Sequence, residues 1–260
     1  LSYQDGRLAP VVGTENYQLY RGNREHPEFA GVMDYTYHHA PMLAYWKGKF
    51  YLEFLSAPVN EHDEATVTSL TTSIDSRNWS TPEVIFPSFQ PEGDSHEIIT
   101  HQRMGFYVSP DKKRLLVLGF YGRWPSPNEG QGIGRVVREV YKDGGLGPIY
   151  FIRYNRHAGW NESNTPYPFY KESPDKSFVK LCETLMENKL YVQQWYEEDR
   201  SKDGFYALEG EGFKIKAFNW YTRKDGKIVG LWKDNYASLS NDGGRSWLES
   251  KKLPSIITGT

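Results

Sequence analysis

The feature that most constrains the fold is a repeated unit of two β-rich runs around a short polar turn. The runs are rich in aliphatic and aromatic residues and the turns carry Gly, Asn or Asp, a pattern typical of β-hairpins. Four copies occur along the chain, at residues 42–55, 105–120, 182–195 and 218–232. The sequence therefore predicts a protein built mainly from antiparallel hairpins.

The spacing of these hairpins favours one all-β architecture over another. The turns recur at a mean interval of about 59 residues, and repeats of this size with several strands each are typical of β-propeller blades. We therefore predict a single propeller domain over residues 1–260, made of four-stranded antiparallel blades. At that repeat length the chain would hold four to five blades. A β-sandwich with several hairpins is the alternative.

Composition narrows the class of function. The chain has 8 Trp, 19 Tyr and 13 Phe, and aromatic rings suit both a β-sheet core and the C–H faces of sugars. A formal net charge of −2 argues against a nucleic-acid partner. No apolar run long enough for a membrane span is present. One cysteine, Cys182, excludes an internal disulfide. The first residues lack a leader pattern, so we expect any signal peptide to be already missing.

Two segments support the propeller. Residues 240–247 (SNDGGRSW) fit the S-x-D-x-G-x-x-W pattern of an Asp-box, and residues 73–79 (SIDSRNW) are a shorter, glycine-free version. In this motif Ser and Asp side chains bond backbone amides in a tight turn, and the Trp packs beneath the hairpin. The segments resemble the Asp-boxes of sialidase-like propellers, where they are structural. Those propellers have six or seven blades, so we expect this chain to be part of a larger protein.

Histidines at the start of a blade are the first candidates for chemistry. His38 and His39 precede Pro41 and the first hairpin, and in an extended segment their side chains point to opposite sides. Only one of them can then face the centre of the propeller, and a histidine satisfied by backbone groups is the structural alternative. His62 lies in a charged loop between the second and third strands, which is either a solvated turn or a second imidazole near His39.

The second hairpin leads to further candidates. Tyr121, Arg123 and Trp124 end its second strand and open a long loop rich in Gly and Pro. Arg135 and Arg138 follow on the next strand, three residues apart and hence on opposite faces. One of them is expected to pair with Glu139 or another acid, and the other could bind a substrate carboxylate; a structural ion pair is the alternative for either.

These segments together resemble the propeller polysaccharide lyases. The likeness rests on residues 38–41, 45–51, 132–139 and the acidic His62 loop, and extends to the related α-L-rhamnosidases. The group includes ulvan and rhamnosyl-glucuronate lyases, with seven-bladed folds. It implies β-elimination beside a uronic acid. By this resemblance His39 is the base, with His38 as a substrate contact, and His62 is a second imidazole. Tyr121 is the acid, and Arg135 or Arg138 neutralises the carboxylate.

The resemblance predicts a secreted or periplasmic enzyme acting on an anionic polysaccharide, with Arg123 and Trp124 as further substrate contacts. Hydrolysis of a rhamnose–glucuronate linkage is one alternative. A non-catalytic glycan-binding propeller, using Trp124, Trp160 and Trp195, is another. A sialidase would need an arginine triad and a Tyr–Glu pair, which the sequence does not assign. A structural Ca²⁺ ion at the centre is compatible with this fold, but no ligand-spaced acidic motif marks a site for it.

Overall fold

A computed structural model of the chain describes residues 13, 15, 17–20, 22–26, 35–61, 63–127, 130–192 and 218–254. Over these ranges the protein forms three four-stranded antiparallel sheets and one α-helix. The predicted all-β propeller architecture is confirmed. None of the described helices is long and apolar enough to cross a membrane.

Each sheet is a meander in which every strand pairs with its neighbours in sequence, as in a propeller blade. Sheet 1 contains β1 (Tyr37–Trp46), β2 (Lys49–Ala57), β3 (Val67–Ser73) and β4 (Glu83–Phe86). Sheet 2 contains β5 (Ile98–Val108), β6 (Leu115–Arg123), β7 (Gly132–Val140) and β8 (Tyr150–Tyr154). Sheet 3 contains β9 (Asn219–Thr222), β10 (Ile228–Trp232), β11 (Tyr236–Ser240) and β12 (Lys251–Lys252). The helix α1 (Lys176–Glu187) lies between sheets 2 and 3 in sequence.

The hairpins predicted at residues 42–55, 105–120 and 218–232 are confirmed as β1–β2, β5–β6 and β9–β10. The hairpin predicted at 182–195 is wrong. Cys182 lies in α1, whose N-terminus is capped by Asp175, because that carboxylate accepts hydrogen bonds from the backbone of Ser177 and Phe178. Residues 193–195 lie outside the described part of the chain.

Sheet 1 packs face to face against sheet 2 around one apolar cluster. Sheet 1 supplies Trp46, Tyr51, Leu70, Ile85 and Phe86, and sheet 2 supplies Ile98, Leu115, Val117, Tyr121, Ile133, Val136, Val140, Phe151 and Tyr154. The other face of sheet 2 is covered by one side of α1, through Phe178, Leu181, Cys182 and Leu185. Sheet 2 is therefore buried on both faces, as an internal blade is.

Both Asp-box segments form the expected turns, between β3 and β4 and between β11 and β12. Asp242 accepts hydrogen bonds from the backbone N–H of Arg245 and Ser246 at 3.0 and 2.9 Å. Trp247 packs against Trp232, with ring centroids 4.9 Å apart. In the shorter version the Asp75 carboxylate accepts hydrogen bonds from the backbone N–H groups of Arg77 and Asn78, each one residue nearer in sequence. The motif thus fixes corresponding turns in sheets 1 and 3.

Candidate functional site

The candidate site lies where sheets 1 and 2 meet at one end. Tyr37 at the start of β1 pairs with Ala57 at the end of β2, so the β2–β3 loop (residues 58–66) lies beside the start of β1. The backbone N–H of Thr100 donates to the carbonyl of Thr66 at 3.1 Å, which brings the start of β5 to the same place. We call this end the rim; it includes the described residues of the loops that follow β2 and β6 (58–61, 63–66, 124–127 and 130–131).

The two neighbouring histidines do point to opposite faces of sheet 1. His38 is partly buried, with Nε2 3.1 Å from the carbonyl oxygen of Tyr35 and Nδ1 3.2 Å from the hydroxyl of Ser56. Burial lowers the pKa of His38. Its ring packs edge-on against Tyr20 and Phe54. These contacts give His38 a structural environment, so its predicted contact with substrate stays a prediction that the geometry does not favour.

His39 belongs to a group that we call the rim cluster: Tyr37, His39, Glu61 and His101. The rings of Tyr37 and His39 are 6.0 Å apart on one face of β1. The Tyr37 hydroxyl donates to Glu61 Oε2 at 3.2 Å, and Glu61 Oε1 lies 3.9 Å from His101 Nε2. Burial, reinforced by the Glu61 carboxylate, raises the pKa of Tyr37 to about 12. The cluster joins a phenol, a carboxylate and two imidazoles, which is a set of groups suited to proton transfer.

The loop that carries Glu61 is fixed at both ends. The Asp63 carboxylate accepts hydrogen bonds from the backbone of Val59 and Asn60 at 3.0 and 2.6 Å. The Glu97 carboxylate accepts the backbone N–H of Ala65 at 2.6 Å. Glu61 is therefore held against the start of β5. His62, predicted as a second imidazole in this loop, lies outside the described residues.

The two arginines of β7 lie on opposite faces, as their spacing predicts. Arg135 is buried with its guanidinium 4.5 Å from the centre of the Phe120 ring, and that ring packs edge-on against His101. Arg138 points the other way and donates to the carbonyls of Ile85 and Gly147 at 2.8 Å each. Arg135 is thus the arginine beside the rim cluster, whereas Arg138 links sheet 1 to sheet 2.

The Glu139 carboxylate has a further arginine as its ion-pair partner. Arg114 at the start of β6 makes a bidentate ion pair with that carboxylate. Leu116, two residues after Arg114 and on the same face, is the strand partner of Glu139, so the guanidinium and the carboxylate lie close together.

Tyr121 is fully buried in the core between sheets 1 and 2. Its hydroxyl donates to the carbonyl of Pro87 at 2.6 Å, and its ring packs against Phe89 and Tyr167. Burial raises the pKa of Tyr121 well above its usual value. The structure does not bring Tyr121 into the rim cluster. Its role as catalytic acid stays a prediction, and this burial disfavours it.

A second polar group, the Asp94 cluster, consists of Asp94, His96 and Arg123. Arg123 donates to Asp94 Oδ1 at 2.6 Å and lies 3.2 Å from His96 Nδ1. The backbone N–H of His96 and the Arg123 guanidinium hold the pKa of Asp94 below its usual range. The side chain of Arg123 is 35% exposed, so it can meet a ligand in solvent. Trp124 follows it and is half-buried.

Two further tryptophans are predicted to bind glycan in the non-catalytic alternative. Trp160 packs, partly buried, against the core between sheets 1 and 2, and Trp195 lies outside the described residues. In the described ranges, no group of three or more His, Cys, Asp or Glu side chains could hold a metal ion.

Sequence reasoning missed Tyr37, Glu61 and His101 as members of the site. The signal for Tyr37 is present, because residues two apart on a strand share a face and His39 is two residues later. Glu61 and His101 could not be found in this way, since their contact joins a loop of sheet 1 to a strand of sheet 2.

Comparisons with known proteins agree with this architecture. Residues 1–212 match the family model described as BT_1020-like, N-terminal β-propeller. A solved structure named as a sialidase shares 47% identity, with a TM-score of 0.85 over 95% of this chain. This chain spans only 24% of that one. A GH43 β-1,3-galactosidase (16% identity, 89% of this chain and 63% of that one) and an exo-β-1,3-galactanase from Clostridium thermocellum (11%, 84% and 38%) both have a TM-score of 0.36, too low to bear on function. No curated protein matches the sequence.

Proposed function

The chain belongs to the BT_1020-like, N-terminal β-propeller family, and from this premise we propose that it is a carbohydrate-active domain that acts on an acidic glycan at the rim. The relative named as a sialidase supports action on a sugar. Because this chain spans about a quarter of that protein, the activity is proposed for the propeller itself and not carried over from the whole relative.

The observation that carries the proposal is the hydrogen bond between Tyr37 and Glu61. A phenol beside a carboxylate is a nucleophile paired with its general base. The high pKa of Tyr37 means that its hydroxyl stays protonated at neutral pH, so it needs Glu61 to take the proton during attack. A neutral phenol also suits an acidic sugar, because a carboxylate nucleophile would be repelled by the negative charge of the substrate.

Glycoside hydrolysis then follows in two steps. The Tyr37 oxygen bonds to the anomeric carbon while Glu61 takes its proton, the bond to the leaving oxygen breaks, and protonated His39 gives that oxygen a proton. A water then attacks the anomeric carbon, His39 takes a proton from that water, and the bond to Tyr37 breaks. Glu61 returns its proton to the phenol. Arg123 and Trp124, at the same rim, would contact the carboxylate and ring of a neighbouring sugar.

β-Elimination beside a uronic acid is the second candidate, and the shared face of Tyr37 and His39 favours it. His39 would take the proton at C5, the bond from C4 to the leaving oxygen would break to give a C4–C5 double bond, and Tyr37 would protonate that oxygen. The positive charge of Arg135 behind Phe120 would stabilise the charge that develops next to the carboxylate.

One experiment separates these reactions. The protein is incubated with ulvan and with oligosaccharides that end in a carboxylate-bearing sugar, and both released reducing sugar and ultraviolet absorbance are followed. Hydrolysis releases sugar without new absorbance, whereas elimination creates an absorbing unsaturated uronate. We expect Y37F and E61Q to lower the rate by about 100-fold or more. The matched controls Y221F and E249Q, at exposed positions in and beside sheet 3, should keep it.

Binding without turnover would replace the enzyme by a glycan-binding module. Y37F and E61Q activities equal to those of the controls would refute the assignment of the site, and neither binding nor turnover of any acidic glycan would refute the function.

A further inference from the structure

Glu53, in the middle of β2, is a carboxylic acid in an apolar environment. Its side chain is fully buried on the face of sheet 1 that packs against sheet 2. Neither carboxyl oxygen has a hydrogen-bond partner of ordinary geometry among the described residues. A buried carboxylate without a partner is costly, so such a group either stays protonated or has a specific role.

Among the described side chains around Glu53, none supplies a counter-charge. Its partners in the sheet are Met42 on β1 and Leu70 on β3. From sheet 2, β5 presents Met104, which accepts a hydrogen bond from Thr68 of β3, and the backbone N–H of Gly105, the polar group that acts on the carboxyl. On β2 itself, the titratable neighbour on this face is Tyr51, and burial raises the pKa of Tyr51. Burial likewise raises the pKa of Glu53 well above its usual value.

Two irregularities of the backbone flank this carboxyl. β1 has a bulge between His39 and Met42, and β5 has one between His101 and Gly105. Glu53 is therefore adjacent to the first paired residue after each bulge, and each bulge begins at one imidazole of the rim cluster. Bulges re-aim side chains and leave backbone groups outside the regular ladder. The β1 bulge keeps His39 on the same face as Met42, because it inserts one extra residue between them.

We propose that Glu53 is a positioning residue which, in its protonated form, fills the apolar space between the two bulges that aim His39 and His101 at the rim, and that loss of this proton loosens both bulges. This inference rests on the proposed function, since the rim cluster is the site that it serves. A protonated carboxyl is neutral, so it can stay packed in this apolar space at a much lower cost than a charge. An ionised one can only accept, and it must be solvated.

The sign of the pH effect follows from the direction of the pKa shift. Between the ordinary carboxyl value of 4.5 and the raised value in the folded protein, the folded state keeps a proton that the unfolded state has lost. The free energy of unfolding therefore decreases as the pH rises through this range. The protonated form that holds the two bulges is complete below this pH range and is lost above the raised pKa.

The test is an NMR titration of the intact chain from about pH 4 to about pH 10. We expect the Glu53 carboxyl carbon and the amides of Met42 and Gly105 to titrate together, far above the usual carboxyl range. E53Q, which mimics the protonated acid, should abolish this step, whereas E64Q at an exposed position should retain it. If glycan turnover is present, E53Q should also remove the loss of rate that accompanies this titration step as the pH rises.

A Glu53 carboxyl carbon that titrates at an ordinary carboxyl pH would overturn the inference, and so would amides of Met42 and Gly105 that show the same step in E53Q. The carboxyl carbon is measured in the unaltered protein, so a variant that fails to fold does not remove the test. An absence of turnover on every acidic glycan would refute the proposed function, while the titration would still decide the role of Glu53 in holding the bulges.

Discussion

Replacing Arg114 by Met should weaken the attachment of α1 to sheet 2 and so lower the free energy of unfolding. Arg114 at the start of β6 binds Glu139 of β7 through two hydrogen bonds, and it also pairs with Asp175, the capping residue of α1. Its remaining nitrogen donates to the hydroxyl of Ser177 at 2.6 Å. One side chain therefore joins two strands of sheet 2 to the first turn of the helix.

The magnitude follows from the burial of each partner. The side chains of Arg114 and Glu139 are 20% and 10% exposed, and removing one partner of a buried pair costs about 3–5 kcal/mol because it leaves the other charge unpaired. Asp175 is 46% exposed, so losing that pair adds at most about 1 kcal/mol. Because the side chains of Arg114 and Glu139 are still partly exposed, the loss of their ion pair should cost an amount at the lower end of this range. We expect R114M to lower the free energy of unfolding by about 3–4 kcal/mol.

Equilibrium unfolding in urea, followed by circular dichroism, measures this loss. The double variant R114M/E139Q should be more stable than R114M, because it no longer buries an unpaired carboxylate. R223M is the matched control. Arg223 and Asp225 form a comparable ion pair, but both are more than 40% exposed, so this variant should cost less than about 1 kcal/mol. A loss of under about 1 kcal/mol in R114M would refute the reasoning. The reasoning would also be refuted if the loss of stability in R114M/E139Q equalled the sum of the losses in R114M and in the single variant E139Q.

Three further predictions concern stability. His38 has a lowered pKa in the folded protein, so unfolding should become easier as the pH falls below about 6.5, and H38Q should lack this acid dependence in urea titrations at several pH values. D242A should lower the free energy of unfolding of the third sheet by about 1–2 kcal/mol, because it removes the acceptor of two backbone N–H groups, and thermal unfolding would show it. G122A should cost about 3 kcal/mol or prevent folding, since the added Cβ would lie 2.1 Å from the Cβ of Pro127; unchanged thermal unfolding would contradict this.

The sheets could be predicted because their signals are local. A hairpin needs two alternating runs and a suitable turn, and Lys47–Gly48 and Asp225–Gly226 supply such turns within a few residues. The Asp-box around Asp242 is also local, since Ser240 and Ser246 bond the same carboxylate. No contact between distant parts of the chain is needed to specify either motif.

The hairpin predicted over α1 is wrong because a short apolar run fits both a strand and a helix. The helical signals lie upstream of Cys182, where the predicted strand begins. Asp175 provides the cap, and Phe178, Leu181 and Leu185 recur at intervals of three and four, on the side that packs against sheet 2. Taking the pattern from Asp175 onward, rather than from Cys182, would have predicted the helix.

The site was only partly predictable, because its membership depends on which face of a strand meets which neighbour. The spacing of Arg135 and Arg138 correctly places them on opposite faces, but the sequence cannot say which face adjoins the rim. The packing of sheet 1 decides this, because the Ile85 carbonyl accepts a hydrogen bond from the Arg138 guanidinium and so holds Arg138 between the two sheets.

The same reasoning explains Tyr121 and Glu61. Tyr121 is two residues from Arg123 on β6, but its hydroxyl donates a hydrogen bond to the Pro87 carbonyl, which follows β4, and this holds the side chain in the core. Glu61 looked like one of several solvated acids, yet its loop is fixed between β1 and β5, next to Tyr37 and His101. Residue type therefore identified groups capable of chemistry, whereas the contact between two blades decided which of them lie together. For this fold, the first experiments belong at Tyr37 and Glu61, because they are the pair that the blade contact creates.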